Sequence, residues 1–226
     1  MKVCTDACLF GALLPPNPLP FDSAQDEGEL AVLDIGAGTG LLSLMYAQKD
    51  QHAIIDAIEI DPSAALQAKK NFESSPWKGR LKIFNTDVNL LKSDKKYERI
   101  ISNPPFFEDD LRSPDETKNA AKHNGSLSLI QLLEIVNKQL GMQGTFAVLL
   151  PYLRVAYFEN EATKHALHLS RKILVRQTPR HELFRGILFF SKEKSEQKLT
   201  EMSIKRTDGT YTAEFTALLK DYYLHL

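Results

Sequence analysis

Leu30-Ala31-Val32-Leu33-Asp34-Ile35-Gly36-Ala37-Gly38-Thr39-Gly40 is an apolar run that ends in three alternating glycines. The first six residues predict a buried strand. The glycines predict a tight turn that a ligand can approach closely. Leu41 to Gln48 then predicts a helix, so strand, glycine turn and helix follow one another. About twenty residues on, a second strand, Ala53 to Ile58, ends in Glu59-Ile60-Asp61. That is where a nucleoside-binding βα unit carries the acid that accepts from both ribose hydroxyls. The dinucleotide pattern G-x-G-x-x-G/A fails at its last position, because residue 41 is leucine. A carboxylate, Asp34, precedes the first glycine by two. It either holds an ammonium or orders the loop. Together these features favour a cationic, phosphate-free nucleoside, S-adenosylmethionine, over NAD.

The rest of the chain repeats the strand–helix alternation. Pro62 to Phe72 predicts a helix with proline in its first turn. Leu81 to Phe84 and Tyr97 to Ser102 predict the third and fourth strands, Ser126 to Leu140 a helix, and Gly144 to Leu150 a fifth strand. Arg154 to His168 is expected to be helical. Lys172 to Arg176 and Gly186 to Phe190 are close enough in sequence to pair antiparallel. Leu199 to Ile204 is a candidate short edge strand, and Thr212 to Tyr223 a final helix. Such alternation implies a mainly parallel sheet covered on both faces. Residues 1–28 form an N-terminal segment and a linker with Pro15, Pro16, Pro18 and Pro20, expected to sit on a catalytic domain at 29–226.

Composition excludes several classes. The chain has 226 residues and a net charge of −1, so any nucleic-acid surface must be a local patch. Cys4 and Cys8 are the only cysteines and supply neither a disulfide framework nor a zinc site. No apolar stretch is long enough to span a membrane, and no metal is expected. A reduced cytoplasmic setting and a monomer are the expectations.

Two further stretches carry chemistry. Asn85-Thr86-Asp87-Val88 follows the third strand. Asp87 either accepts from the adenine amino group of a cofactor or caps a turn. Asn103-Pro104-Pro105-Phe106 follows the fourth strand. Its two prolines stiffen a loop at a strand's carboxyl end, the place where open α/β sheets bind ligands. An amide and an aromatic ring there suit a planar substrate bearing an amino group, although a plain strand terminator would read the same.

Val32 to Gly40 resembles motif I, and Asn103 to Phe106 motif IV, of class I S-adenosylmethionine-dependent amino-methyltransferases. More narrowly, the chain resembles the bacterial tRNA1(Val) (adenine-37-N6)-methyltransferases. Met1 to Asp6, Asn103 to Phe107, Lys122-His123-Asn124-Gly125-Ser126-Leu127-Ser128, and the tail Tyr211 to Phe215 with Asp221 to Leu224 carry this resemblance. Cys4 stands where that family more often has glycine. The resemblance implies a Rossmann-like α/β fold with a seven-stranded, mainly parallel sheet, an antiparallel terminal hairpin and helices on both faces. It implies N6-methylation of a tRNA adenosine, with S-adenosylmethionine as cofactor and tRNA as partner. The implied catalytic set is Asn103, Pro104, Pro105 and Phe106. The implied cofactor set is Thr5, Asp34, Gly36, Gly38, Thr39, Gly40, Glu59, Ile60, Asp87, Val88 and Asn103.

For the substrate, Phe106 and Phe107 offer rings, and Lys122, His123 and Arg180 offer charge or hydrogen bonds. His123 either faces the pocket or caps the next helix. Lys118, Arg171, Lys172, Arg176, His181 and Arg185 extend the basic set, whose alternative is a solvated face. Protein glutamine N5-methylation and rRNA guanine-N2 methylation use the same motif IV and stay open at this level, as does a non-catalytic cofactor-binding module.

Overall fold

The computed structural model describes residues 5–16, 29–91, 95–104 and 127–224. Eight strands form one sheet: β1 (Leu30–Ile35), β2 (Ala53–Glu59), β3 (Leu81–Asn85), β4 (Tyr97–Ser102), β5 (Leu140–Pro151), β6 (His168–Arg176), β7 (Leu183–Ser191) and β8 (Lys198–Ser203). Their spatial order is β3-β2-β1-β4-β5-β7-β6-β8. The first five are parallel, β7 runs antiparallel between β5 and β6, and β8 pairs parallel with β6. Six helices are described: α1 (Thr5–Leu13), α2 (Leu41–Lys49), α3 (Pro62–Glu73), α4 (Leu129–Gln139), α5 (Tyr152–Lys164) and α6 (Ala213–Leu219).

The core strands are buried on both faces because helices cover both. Val32 and Ile55 pack with residues of α1, α2 and α6, while Leu33, Ile35 and Ile100 pack with residues of α4 and α5. This is the expected Rossmann-like α/β architecture with its antiparallel hairpin. The strand count is eight, not seven. The added strand, β8, is exposed at Lys198, Leu199, Thr200 and Glu201 and owes its conformation to the β6 ladder rather than to its own apolar pattern.

The helix expected to reach His168 stops at Lys164. Ala166 takes φ 55°, a left-handed conformation that cannot continue a right-handed helix. The chain therefore turns and enters β6 at His168. Ser128 starts α4 with a capping box, accepting from Gln131 N while the Gln131 side chain accepts from Ser128 N.

In α1, Ala7 to Leu13 are all buried, as befits a helix apolar on every side. Its carboxyl-terminal carbonyls are capped by one side chain: Lys49 Nζ donates to Gly11 O (3.0 Å), Ala12 O (2.6 Å) and Leu14 O (2.7 Å). At its other end, Arg185 Nε on β7 donates to Asp6 Oδ2 at 2.7 Å.

Register places the site. Ile35, the last residue of β1, pairs with Ile58 on one side and Ser102 on the other. The loops after β1, β2 and β4 thus emerge side by side, with the order reversing about β1. A crevice opens at such a switch point.

Candidate active site

The glycine loop is built from backbone geometry. Gly36, Gly38 and Gly40 have φ of 74°, 57° and 83°. A Cβ at Gly40 would lie 2.4 Å from Phe72 Cε1, whereas one at Gly36 would meet nothing within 4 Å. Gly36 N and Ala37 N both donate to Ile58 O, at 2.9 and 3.0 Å. Thr39 contributes its carbonyl, which accepts from Asn71 Nδ2 at 2.8 Å. On the other flank, Ser102 Oγ donates to Ile35 O at 2.9 Å, so β4 also holds the loop's entry.

Glu59 links the loops after β1 and β2. Its Oε2 accepts from Gly38 N and its Oε1 from Asp61 N, both at 2.8 Å. A carboxylate has about four lone-pair sites, so two ribose hydroxyls can still be accepted. Asp61 caps α3 through Ala64 N at 2.7 Å. Asn85 Nδ2 donates to Glu59 O and Ile60 O at 2.9 and 3.1 Å, tying β3 to the same turn. Ile60, just past β2, is 49% exposed, and Val88, just past β3, is buried.

Asp34 is fully buried in β1. Its Oδ2 accepts from Ser43 Oγ in the first turn of α2 at 2.6 Å, so it orders the loop's exit. Its Oδ1 has no partner. Burial pushes its pKa up to about 7, opposed by the hydrogen bonds from Ser43 and aided by the charge of Glu59. A buried carboxylate oxygen without a donor suits an arriving cation.

Asp87 caps the short turn Val88–Leu90, its Oδ1 accepting from Asn89 N and Nδ2, each at 2.9 Å. The turn-capping alternative is thus realised, and the carboxylate keeps further lone pairs for a ligand. In residues 36–40, 59–61 and 85–91 every charged side chain is acidic. Such a cradle repels a pyrophosphate and favours a cationic nucleoside, which is the fit S-adenosylmethionine requires.

Asn103 and Pro104 directly follow β4, one residue past the Ile35–Ser102 pair. Asn103 is half-buried and Pro104 buried, and the Asn103 side chain has no hydrogen-bond partner among the described residues. The structure therefore brings Asp34, the glycine loop, Glu59, Ile60, Asp87, Val88 and Asn103 to one edge. Thr5 opens α1, where the neighbouring Asp6 accepts from Arg185, the residue paired with Pro151 at the carboxyl end of β5. Pro105, Phe106, Phe107, Lys118, Lys122 and His123 lie outside the described residues.

The basic set divides. Lys172 pairs with Glu159, Arg176 with Glu201 and Arg185 with Asp6, while Arg171 covers the Phe189 ring. These four serve the fold. Arg180 and His181 are exposed in the β6–β7 turn. Among the described residues no three His, Cys, Asp or Glu side chains are grouped to hold a metal, and no helix is long and apolar enough to cross a membrane. Ser43, Asn71, Asn85 and Ser102 are site-building residues that sequence reading missed. Only Asn85, next to the Asp87 turn, carried a signal.

A model of the methyltransferase small domain matches residues 21–149. A tRNA1(Val) (adenine(37)-N6)-methyltransferase from Dyadobacter fermentans is 39% identical, with 99% of this chain and 91% of the relative covered. Proteins of the same description are 35% identical in Photorhabdus laumondii, covering 100% and 89%, and 38% identical in Bacteroides fragilis, covering 100% and 92%. Among solved structures, one described as a predicted O-methyltransferase from Agrobacterium tumefaciens superposes with a TM-score of 0.69 at 16% identity, over 95% of each chain. A methyltransferase from Pyrococcus furiosus does so at 0.54 and 20% identity, covering 74% and 77%. These two speak to the fold.

Proposed function

The chain belongs to the methyltransferase small domain family and, within it, to the tRNA1(Val) (adenine(37)-N6)-methyltransferases, and from that premise we propose that it methylates N6 of adenosine 37 in a valine tRNA, with Asn103 as the amine acceptor. It is an S-adenosylmethionine-dependent methyltransferase. The observation that carries the chemical reading is the register that sets Asn103 beside an acidic glycine-loop cradle.

The exocyclic amine of adenine is a poor nucleophile because its lone pair is delocalised into the ring. When bound, S-adenosylmethionine supplies an electrophilic methyl group. The side-chain oxygen of Asn103 and the carbonyl of Pro104 accept the two amino hydrogens. This localises the nitrogen lone pair and points it toward the cofactor side of the crevice. After methyl transfer the nitrogen gives one proton to solvent. The effect is positioning plus electrostatics. Phe106 stacks on the extruded base, which costs little to extrude because a loop base is already unpaired. Asp34 receives the cofactor's ammonium, and Glu59 its ribose. All these groups come from one chain, so a monomer suffices. The relatives favour adenine N6 over the glutamine and guanine alternatives.

The test is methyl transfer from labelled cofactor to total tRNA from a strain lacking this protein, followed by nucleoside mass analysis. Label in N6-methyladenosine is expected. Label only in N2-methylguanosine, or no label in tRNA at all, would overturn the reading.

A further inference from the structure

Two turns at the far end of the same sheet edge lie side by side. Because β6 and β8 run parallel to β4, the β6–β7 turn at 177–182 and the chain after β8 emerge on the edge that carries Asn103. They are joined by backbone bonds, Ile204 N to Arg176 O at 3.0 Å and Lys205 N to Gln177 O at 2.9 Å. The second turn closes on itself: Lys205 bridges Tyr211, Arg206 N donates to Thr210 O at 2.8 Å, and Asp208 Oδ1 accepts from Thr210 N and Oγ1. Tyr211 stacks on the buried Phe215 ring at 4.8 Å, and Lys205 Nζ lies 5.2 Å from the Tyr211 ring centroid. The lysine is thus held in place by an aromatic plate rather than by a carboxylate.

Arg180, Lys205 and Arg206 are the outcome. None of the three has an ion-pair partner among the described residues, whereas Lys172, Arg176 and Arg185 nearby are all paired. Exposed Glu182 tempers the patch, and so does Asp208, which its hydrogen bonds from Thr210 and the charge of Arg206 hold below the usual carboxylate range; three cations against these two carboxylates leave the platform with a positive balance. Four strand spacings separate β4 from β8, about 19 Å. That is too far to touch the reacting base and well placed for the backbone of the same folded RNA. We propose that the β6–β7 turn and the turn after β8 form a phosphate-binding platform for the stem of the tRNA substrate, with Arg180, Lys205 and Arg206 as its cations. Such contacts fix orientation without reading sequence.

The inference rests on the tRNA reading above, and its test separates the two. Arg180, Lys205 and Arg206 are replaced together by glutamine. Binding is titrated between 50 and 200 mM salt for total tRNA, and single-turnover methylation is measured on a short single-stranded oligonucleotide bearing the target adenosine. The expected result is a tRNA salt slope reduced by about 2–3, roughly one per lost phosphate contact, with methylation of the oligonucleotide and affinity for S-adenosylhomocysteine unchanged. Lys205→Arg should keep the parental slope. A triple variant with parental slope and parental tRNA affinity would overturn the platform, as would equal losses on tRNA and oligonucleotide. A parent protein that methylates neither RNA would overturn the functional reading instead.

Discussion

The two halves of the binding edge are built differently. In the loops after β1, β2 and β3 the polar groups hold one another: Glu59 binds Gly38 and Asp61, Asn85 binds the Glu59 and Ile60 carbonyls, and Asp34 binds Ser43. On the β4–β8 side the interacting groups are left more open among the described residues: the Asn103 amide has no hydrogen-bond partner, and Arg180, Lys205 and Arg206 are in no salt bridge, Lys205 resting on the Tyr211 ring. A cofactor is the same molecule at every turnover, so its cradle can be fixed before it arrives. A base that must be extruded and a backbone that must be gripped need donors and acceptors still available when the RNA docks. On the proposed function, affinity for cofactor belongs to the first half, and rate and RNA capture to the second.

The strongest way to break this comparison is to spoil the prebuilt half. Gly40→Val introduces left-handed strain of about 1–2 kcal/mol and a clash with Phe72 whose overpacking costs about 1–3 kcal/mol. Urea denaturation should therefore show a stability loss of about 2–5 kcal/mol, and an unchanged midpoint would contradict the loop's role. Glu59→Ala removes the link between loops as well as the proposed ribose acceptor. Affinity for S-adenosylhomocysteine should fall by about 1.5–3 kcal/mol by calorimetry, and parental affinity would remove Glu59 from the cofactor site.

The smallest effect sharpens the role of Asp34. Its folded pKa of about 7 lies above the ordinary 3.8. The contribution of Asp34 to stability is therefore fullest below about pH 4 and declines as pH rises toward about 7, because there the unfolded chain releases a proton that the folded chain retains. Asp34→Asn should flatten that decline. An ammonium beside Asp34 would lower its pKa, so binding S-adenosylhomocysteine near pH 6.5 should release a fraction of a proton. Calorimetry in two buffers of different ionisation heat reads this release, and the Asn variant should lack it.

Most of the cofactor half was legible because its signals are local. Glycines at a strand end, an acid one βα unit later and a proline at a helix start each follow from steric rules that operate over a few residues. The place of Asn103 directly after β4 was legible for the same reason. What escaped depends on contacts distant in sequence. Ser43 and Ser102 look like ordinary small polar residues until the fold brings them to Asp34 and Ile35. The left-handed Ala166 carries no glycine to announce a helix end, so α5 was expected to run on. Edge strand β8 was visible only as a short candidate, since its exposed face lacks the alternation that burial imposes. The basic residues between 171 and 185 looked alike in the sequence, and only the contacts of the fold separate the paired Lys172, Arg176 and Arg185 from the exposed Arg180.

The division of labour between the halves is tested most directly at Asn103. If its amide localises the amine lone pair, the interaction acts in the transition state and not in cofactor binding. Single-turnover methylation of tRNA by Asn103→Ala should be slower by about a hundred- to thousandfold, the scale of losing one well-placed polar group, while S-adenosylhomocysteine binds as tightly as to the parent. Near-parental methylation by Asn103→Ala, or a loss of rate matched by an equal loss of cofactor affinity, would contradict the account.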